Sequence, residues 1–253
     1  MLYLIGLGLD KDDMTIKAVN AIKTCKKVFM ETYTSDLIYS FKDIESFLHK
    51  ETKGQLKKID IVDRKFVEEE NLLFEEAKRH NVALLIPGDP LSATTHSELL
   101  ARAEKFNVQI KVIHAPSILT SIGITGLQLY KFGKTGSIPK WQKSFEPDSF
   151  YNIIQDNRKI NAHTLLLVDI GLSIKNALMQ LQKVIDKHED KLSKNEKLIV
   201  CSNLGTDRAE IKQGTIQELM KKDFRLPACI IIHAPLHFFE EQMLKKHLKK
   251  QRK

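Results

Sequence analysis

The sequence predicts an α/β fold in two parts: a mainly parallel sheet in the first half and a mixed sheet in the second, each with helices. Three observations carry this expectation. Short apolar runs alternate with segments of helical periodicity through the first 115 residues, the pattern of strands joined by helical crossovers. Beyond that point, after "HAPSILTSIGITGLQLYKFGKTGSIP", the pattern changes to the strands and helices of a mixed sheet. Finally, 253 residues with 42% hydrophobic content suffice for one large domain or two of about 120 residues each. The change of pattern sets the expected boundary at 115–117, giving domains 1–115 and 116–253.

The elements follow in order. "LYLIG" (2–6), "KVFME" (27–31), "KKIDIV" (57–62), "VALLIP" (82–87) and "VQIKVIHA" (108–115) read as the strands of the first half. Residues 15–25, 41–50, 66–79 and 96–105 carry helical spacing between them. Ser117 is placed to cap a helix that starts at Ile118, and Gly123 and Gly126 weaken that helix or permit close packing. In the second half "HTLLLVD" (163–169), "KLIVCS" (197–202), "RAEIKQG" (208–214) and "ACIIIH" (228–233) read as strands. Residues 173–187, 215–221 and 238–250 read as helices.

Composition excludes several classes. The net charge of +8 comes from 40 Lys+Arg against 32 Asp+Glu, and part of the excess sits in the terminal "KKHLKKQRK". That run reads as a charged helix end passing into a tail. No nucleic-acid-binding motif accompanies the charge, so direct nucleic-acid binding is not expected. Cys25, Cys201 and Cys229 are far apart and lack the close Cys/His spacing of a zinc site; each reads as a buried thiol, and no metal is expected. Three cysteines without a signal peptide fit a reducing, cytoplasmic setting. No stretch is long and apolar enough to span a membrane.

Two loops invite a ligand. "IGLGLDKDD" (5–13) places Gly6 and Gly8 at the end of the first strand, where glycine lets a ligand approach the backbone. The dinucleotide fingerprint is incomplete, since Lys11 stands where the third glycine belongs, although Glu31 occupies a position suited to an acidic ribose partner. A plain tight turn with Asp12 or Asp13 opening the next helix explains the same residues. "PGDPLSATTH" (87–96) restrains Gly88 between two prolines and presents Asp89, Ser92, Thr94, Thr95 and His96. Asp89 suits hydrogen bonds to ligand hydroxyls or amines, or capping of the chain that follows. His96 reads as a residue near the entrance of such a pocket or as part of the helix start.

Other groups carry alternatives of their own. Asp169 near Gly171 holds a pocket or merely ends a strand. In "LHFFE", His237 and Glu240 have helical spacing for a local pair without a third metal ligand. Tyr130, Phe132 and Trp141 enclose substrate or pack a domain junction. Lys131 and Lys134 meet phosphate or carboxylate, or face solvent.

Taken together, "MLYLIGLGL", "KVFMETYTS", "PGDPLSATTHSELLARA", "VIHAPSI", "GLQLYKFGKT", "HTLLLVDI" and "PLHFFE" closely resemble the diphthine synthase branch of the tetrapyrrole-methylase-like methyltransferases. The resemblance runs from Met1 into the last helix, and "GLQLYKFG" with "GDPLSATTH" is its most specific part. It implies the two-domain, class III methyltransferase fold, with S-adenosylmethionine as methyl donor in the cleft between the domains. It further implies a homodimer, and elongation factor 2 as protein substrate. The amino group of an aminocarboxypropyl-modified histidine would be methylated successively, with a further methyl ester in some members. Carried over position by position, the donor contacts fall on Leu9, Asp89, Ser92, Ser117, Ile118, Leu166 and Leu204. Cys229 stands at the approximate place of a family histidine. The resemblance names no catalytic base.

Two departures stand out. "NLGTDRAE" (203–210) replaces a "GLARVG"-like loop, and "ACI" (228–230) replaces Leu-His-Ser. A donor contact made by a side chain at Cys229 would change, whereas a backbone contact would survive. The competing readings are a tetrapyrrole methyltransferase, separable only by the substrate methylated, and a nucleotide- or RNA-binding module that binds without donor turnover.

Overall fold

The computed structural model describes residues 1–250 apart from 57, 189–191 and 194; for 247–250 the backbone alone is described. The end of the basic run therefore lies outside the described residues, as does the first residue of the expected third strand. The chain divides into two units, 1–119 and 120–253.

The first unit is a five-stranded sheet in the order β3-β2-β4-β1-β5. Its strands are β1 (Leu2–Gly6), β2 (Lys27–Glu31), β3 (Asp60–Val62), β4 (Val82–Ile86) and β5 (Ile110–Ile113). All four ladders are parallel. Central β4 is buried along its whole length, which is why "VALLI" is continuously apolar rather than alternating. Helices α1 (Ile16–Lys23) and α2 (Phe41–Glu51) supply one apolar layer, with Ile22, Ile44 and Leu48 against Ile5, Met30 and Leu85. On the opposite face lie α3 (Arg64–Glu68), α4 (Leu72–Arg79) and α5 (Ser97–Lys105), where Phe74, Leu73 and Leu99 pack on Leu4 and Leu84.

The helix expected over 66–79 is two helices. Asp63 caps the first through a bond from Phe66 N–H, and the chain breaks at 69–71 before Leu72. The third strand is three residues rather than six.

The second unit is also five-stranded, in the order β6-β7-β10-β8-β9. Its strands are β6 (Gly136–Ile138), β7 (Thr164–Val168), β8 (Leu198–Ser202), β9 (Glu210–Gly214) and β10 (Ala228–Ile232). β6 and β7 are parallel and the other ladders antiparallel, so the mixed sheet expected from sequence is present. Helices α7 (Ser149–Lys159), α8 (Ile174–Lys187) and α9 (Ile216–Leu219) give Phe150, Tyr151, Leu178, Leu181 and Leu219 to the core on one face. The helix expected from Ile118 is a single turn, α6 (Ile118–Ser121), passing into a 3-10 turn that stops at Gly126 with φ +86°. The final helix is α10 (Phe238–Lys250). Sequence reading missed β6 and α7. Phe150, Tyr151 and Ile154, spaced along one helical stripe after Pro147, were the signal for α7.

Candidate functional site

Three loops meet beyond the carboxyl ends of β1, β4 and β5. β1 and β4 are neighbours, yet the chain leaves β1 toward one face of the sheet and β4 toward the other. Such a switch point leaves a crevice at the strand ends where α/β sheets take ligands. Gly8 and Gly88 bind each other reciprocally, N to O at 3.1 and 2.9 Å. Gly8 has φ +79°, and a methyl group there would sit 2.1 Å from Asp13 Cβ. Asp13 Oδ2 accepts the amides of Leu9 and Asp10 at 2.8 and 2.9 Å, so Leu9 is held by a closed turn. Gly88, at φ +69°, has nothing within 4 Å of where a Cβ would stand, so its backbone is open to a bound group.

Asp89 is the hub of these loops. It is buried, and its Oδ1 accepts Leu91 N–H at 3.0 Å and the Ser92 hydroxyl at 3.1 Å. Oδ2 meets His114 Nδ1 at 2.7 Å and accepts Ala115 N–H at 3.3 Å. Burial alone would favour the neutral acid, but bonds from Leu91, His114, Ala115 and Ser92 together bring the carboxyl below its ordinary range. The carboxylate thus joins the loop after β4 to the loop after β5, which carries Ser117 and Ile118. Ala93, next to Ser92, is a non-glycine residue at φ +58°, the kind of local strain found where a loop is constrained.

Two further groups take structural roles. Glu31 turns its buried carboxylate onto its own loop, accepting the amides of Tyr33 and Thr34 and the Thr34 hydroxyl. His96 is 1% exposed, with Nδ1 on the Thr94 hydroxyl and Nε2 3.3 Å from Tyr33 Oη. Burial lowers its pKa to about 4, so the ring is neutral near pH 7. Because the folded value lies below the unfolded one, His96 contributes stability in full above about pH 6.5 and loses it as pH falls toward 4. A lowering of this size is worth on the order of 3 kcal/mol. The stability gap between wild type and H96Q, taken from urea midpoints, is expected to shrink across that window. A gap independent of pH would refute the assignment.

In the second unit the predicted residues do not all share a face. Cys229 pairs with Leu167 and Cys201, while Leu166 pairs with Ile230. Side chains alternate along a strand, so Leu166 and Cys229 point to opposite faces. Leu166 lies in the core with Phe150 and Ala177, and Leu167 shares the Cys229 side. The Cys201 thiol is pushed up by its hydrogen bond with the Cys229 thiol and by burial. Leu204 is buried in the loop after β8, at the sheet end that also carries Cys229. Its neighbour Asn203, at φ +50°, has a buried Oδ1 without a hydrogen-bond partner, a feature sequence reading did not find.

"GLQLYKFG" and "LHFFE" converge on one buried carboxylate. Glu240 accepts Gln128 N–H at 3.0 Å, Lys131 Nζ at 2.9 Å and His237 N–H at 2.8 Å, and it lies 3.0 Å from His163 Nε2. Ala234 N–H donates to His163 Nδ1, which leaves Nε2 as the protonated nitrogen facing Glu240. Burial opposes ionisation, yet the bonds from Gln128, Lys131, His163 and His237 hold Glu240 down to about 2. Lys131 is therefore committed to an internal ion pair rather than to a phosphate. His237 contributes its backbone, not a side-chain pair. Tyr130 is 84% exposed and Phe132 packs edge-on against His163, so these aromatics do not enclose one pocket.

The profile of the Tetrapyrrole (Corrin/Porphyrin) Methylases matches residues 1–220. The chain belongs to the tetrapyrrole methylase family. A diphthine synthase from Methanococcus vannielii is 38% identical over 256 residues, covering 97% of this chain and 98% of that protein. An Arabidopsis thaliana protein named "Probable diphthine methyl ester synthase" is 37% identical over 270 residues, covering 96% and 97%. A crystal structure of a diphthine synthase superposes with TM-score 0.86 at 32% identity, covering 97% of this chain and 95% of that one. The two-part α/β expectation is met by this tetrapyrrole methylase and its neighbours. No helix among the described residues is long and apolar enough to cross a membrane. In this tetrapyrrole methylase the open Gly88 backbone at the switch point of the first unit is the observation that fits a bound methyl donor.

Proposed function

We infer that this protein is an S-adenosylmethionine-dependent diphthine synthase. It methylates the amino group of an aminocarboxypropyl-modified histidine on elongation factor 2. The observation that carries this reading is the near-complete match to diphthine synthases, 38% identity across 97% of the chain. S-adenosylmethionine supplies the electrophilic methyl group. Leu9, Ser92, Ser117 and Ile118 hold the donor, with Asp89 fixing the loops that present them. Leu204 and Cys229 supply contacts from the second unit, with Leu166 or its neighbour Leu167 beside them. Since Leu166 and Cys229 face opposite sides of the sheet, they do not act through side chains on one ligand surface; a backbone contact at one of them reconciles both.

The chain's chemical work is positioning. Transfer needs the amine in line with the departing sulfur and a site that excludes water; the loops fixed by Asp89 and Asp13 support the positioning part of this reading. The amine must be unprotonated to attack, and no side chain is assigned as its base. A cytoplasmic setting and a homodimer belong to the same proposal; light scattering should give twice the 29.0 kDa chain mass.

The family description favours a second reading, methylation of a tetrapyrrole. Intact-mass analysis of elongation factor 2 bearing the modified histidine separates them. Donor-dependent methyl increments are expected, and their number distinguishes diphthine from its ester. Folded protein and correctly modified substrate without an increment would overturn the reading.

A further inference from the structure

A groove in the second unit is built and charged, yet the donor contacts above do not use it. It encloses about 400 Å³ and is lined by Lys140, Trp141, Lys143, Asn176, Met179 and Lys183, among others. Its wall is held from beneath by Gln180, 8% exposed, whose Nε2 donates to Pro139 O at 2.7 Å and whose Oε1 accepts Trp141 N–H at 3.4 Å. Trp141 Nε1 donates to Pro147 O at 3.0 Å, and Lys140 N–H donates to Asp169 Oδ2 at 3.0 Å. Reciprocal bonds between Gln142 and Phe145, at 3.1 and 3.0 Å, close a tight turn with Ser144 at φ +72°. A turn fixed in this way presents its side chains without much ordering cost on binding.

The groove is both basic and apolar. Lys140, Lys143 and Lys183 line it together with one carboxylate, Glu146, which already faces Lys187 at 3.9 Å. Met179 in its lining is 41% exposed, and Phe145, in the turn beside it, 62%. It also has a telling position. Ile138 pairs with Val168 at the end of β6, and Leu167 pairs with Cys229, so the turn leaves the sheet at the end that carries Cys229 and Leu204.

We propose that residues 139–146 and the exposed side of α8 form a docking groove for an acidic, partly apolar segment of the protein substrate. The proposal rests on the protein-methyltransferase reading above. Charge complementarity selects the occupant, since lysines around exposed Phe and Met suit carboxylates interspersed with apolar side chains. A single-stranded nucleic acid fits less well. Bases stack on open aromatic faces, whereas Trp141 packs against the core and carries Lys183 and Lys187 at 5.6 and 5.9 Å from its ring.

Trp141 is the only tryptophan of the chain, so 5-fluorotryptophan labelling places one fluorine-19 signal in the groove. Adding elongation factor 2 with the modified, unmethylated histidine is expected to shift that signal. K143E/K183E is expected to raise KM for the protein substrate about tenfold and to weaken its salt dependence. Donor Kd and kcat should stay within about twofold, because the mutated lysines steer encounter rather than chemistry. An unmoved signal together with an unchanged KM would overturn the proposal. So would a shift produced by an RNA oligonucleotide and not by the protein. If wild type transfers no methyl group, the functional reading falls by that result, and the fluorine-19 titration alone decides the groove.

Discussion

Replacing Asp89 with alanine is expected to lower kcat/KM for methyl transfer by about 100-fold or more and to weaken donor binding. Misplacement of reacting groups by as little as an ångström has effects on this scale. The carboxylate's four protein partners lie on two loops: Leu91 and Ser92 on one, His114 and Ala115 on the other. Removing it leaves two backbone amides without their acceptor and cuts the link between the loops. D89N separates charge from shape, since one oxygen remains but the other position becomes a donor facing His114 and Ala115. D89N should therefore fall between wild type and D89A in donor affinity, measured by calorimetry. Because the folded pKa of Asp89 lies below its ordinary value, the carboxylate organises the loops above the ordinary carboxylate range. Its contribution is lost as pH falls through the folded value. Normal donor binding and turnover in D89A would reject the hub.

E240A should have the largest effect on stability, about 3–5 kcal/mol, the range for breaking a buried ion pair by removing one partner. It strands Lys131, His163 and the amides of Gln128 and His237, which belong to three separate segments of the second unit. The ionisation of Glu240 supports the same scale. Its folded pKa of about 2 lies below the ordinary 4.5. Each tenfold change in the acid dissociation constant corresponds to about 1.4 kcal/mol. That stability is complete above about pH 4.5 and is lost as pH falls toward 2. Urea denaturation at pH 7 should show the full gap between wild type and E240A, and acid should narrow it. A loss under about 1 kcal/mol at pH 7 would mean that the network contributes little beyond an exposed pair.

Specific features show how far sequence reading carries. β4 was legible because a strand buried on both faces must be apolar throughout. Thr15, Ser40, Ser173 and Thr215 mark true helix starts, each accepting the amide three residues on. The break at 69–71 and the short β6 were not legible, since both depend on neighbours rather than on local periodicity. Motif recognition identified "GDPLSATTH" and "GLQLYKFG" as significant, but not what each does.

From the sequence alone came the α/β class, the change of pattern near residue 115, the family and the loops that carry its signature. These are properties of local periodicity and of side-chain type, both written along the chain. Only the tertiary structure decided that Asp89 binds two loops together, that Lys131 and Glu240 form an internal pair, and that Leu166 and Cys229 face opposite ways. Each of these depends on which distant segments meet and on strand register, where a slip of one residue exchanges the two faces of a sheet.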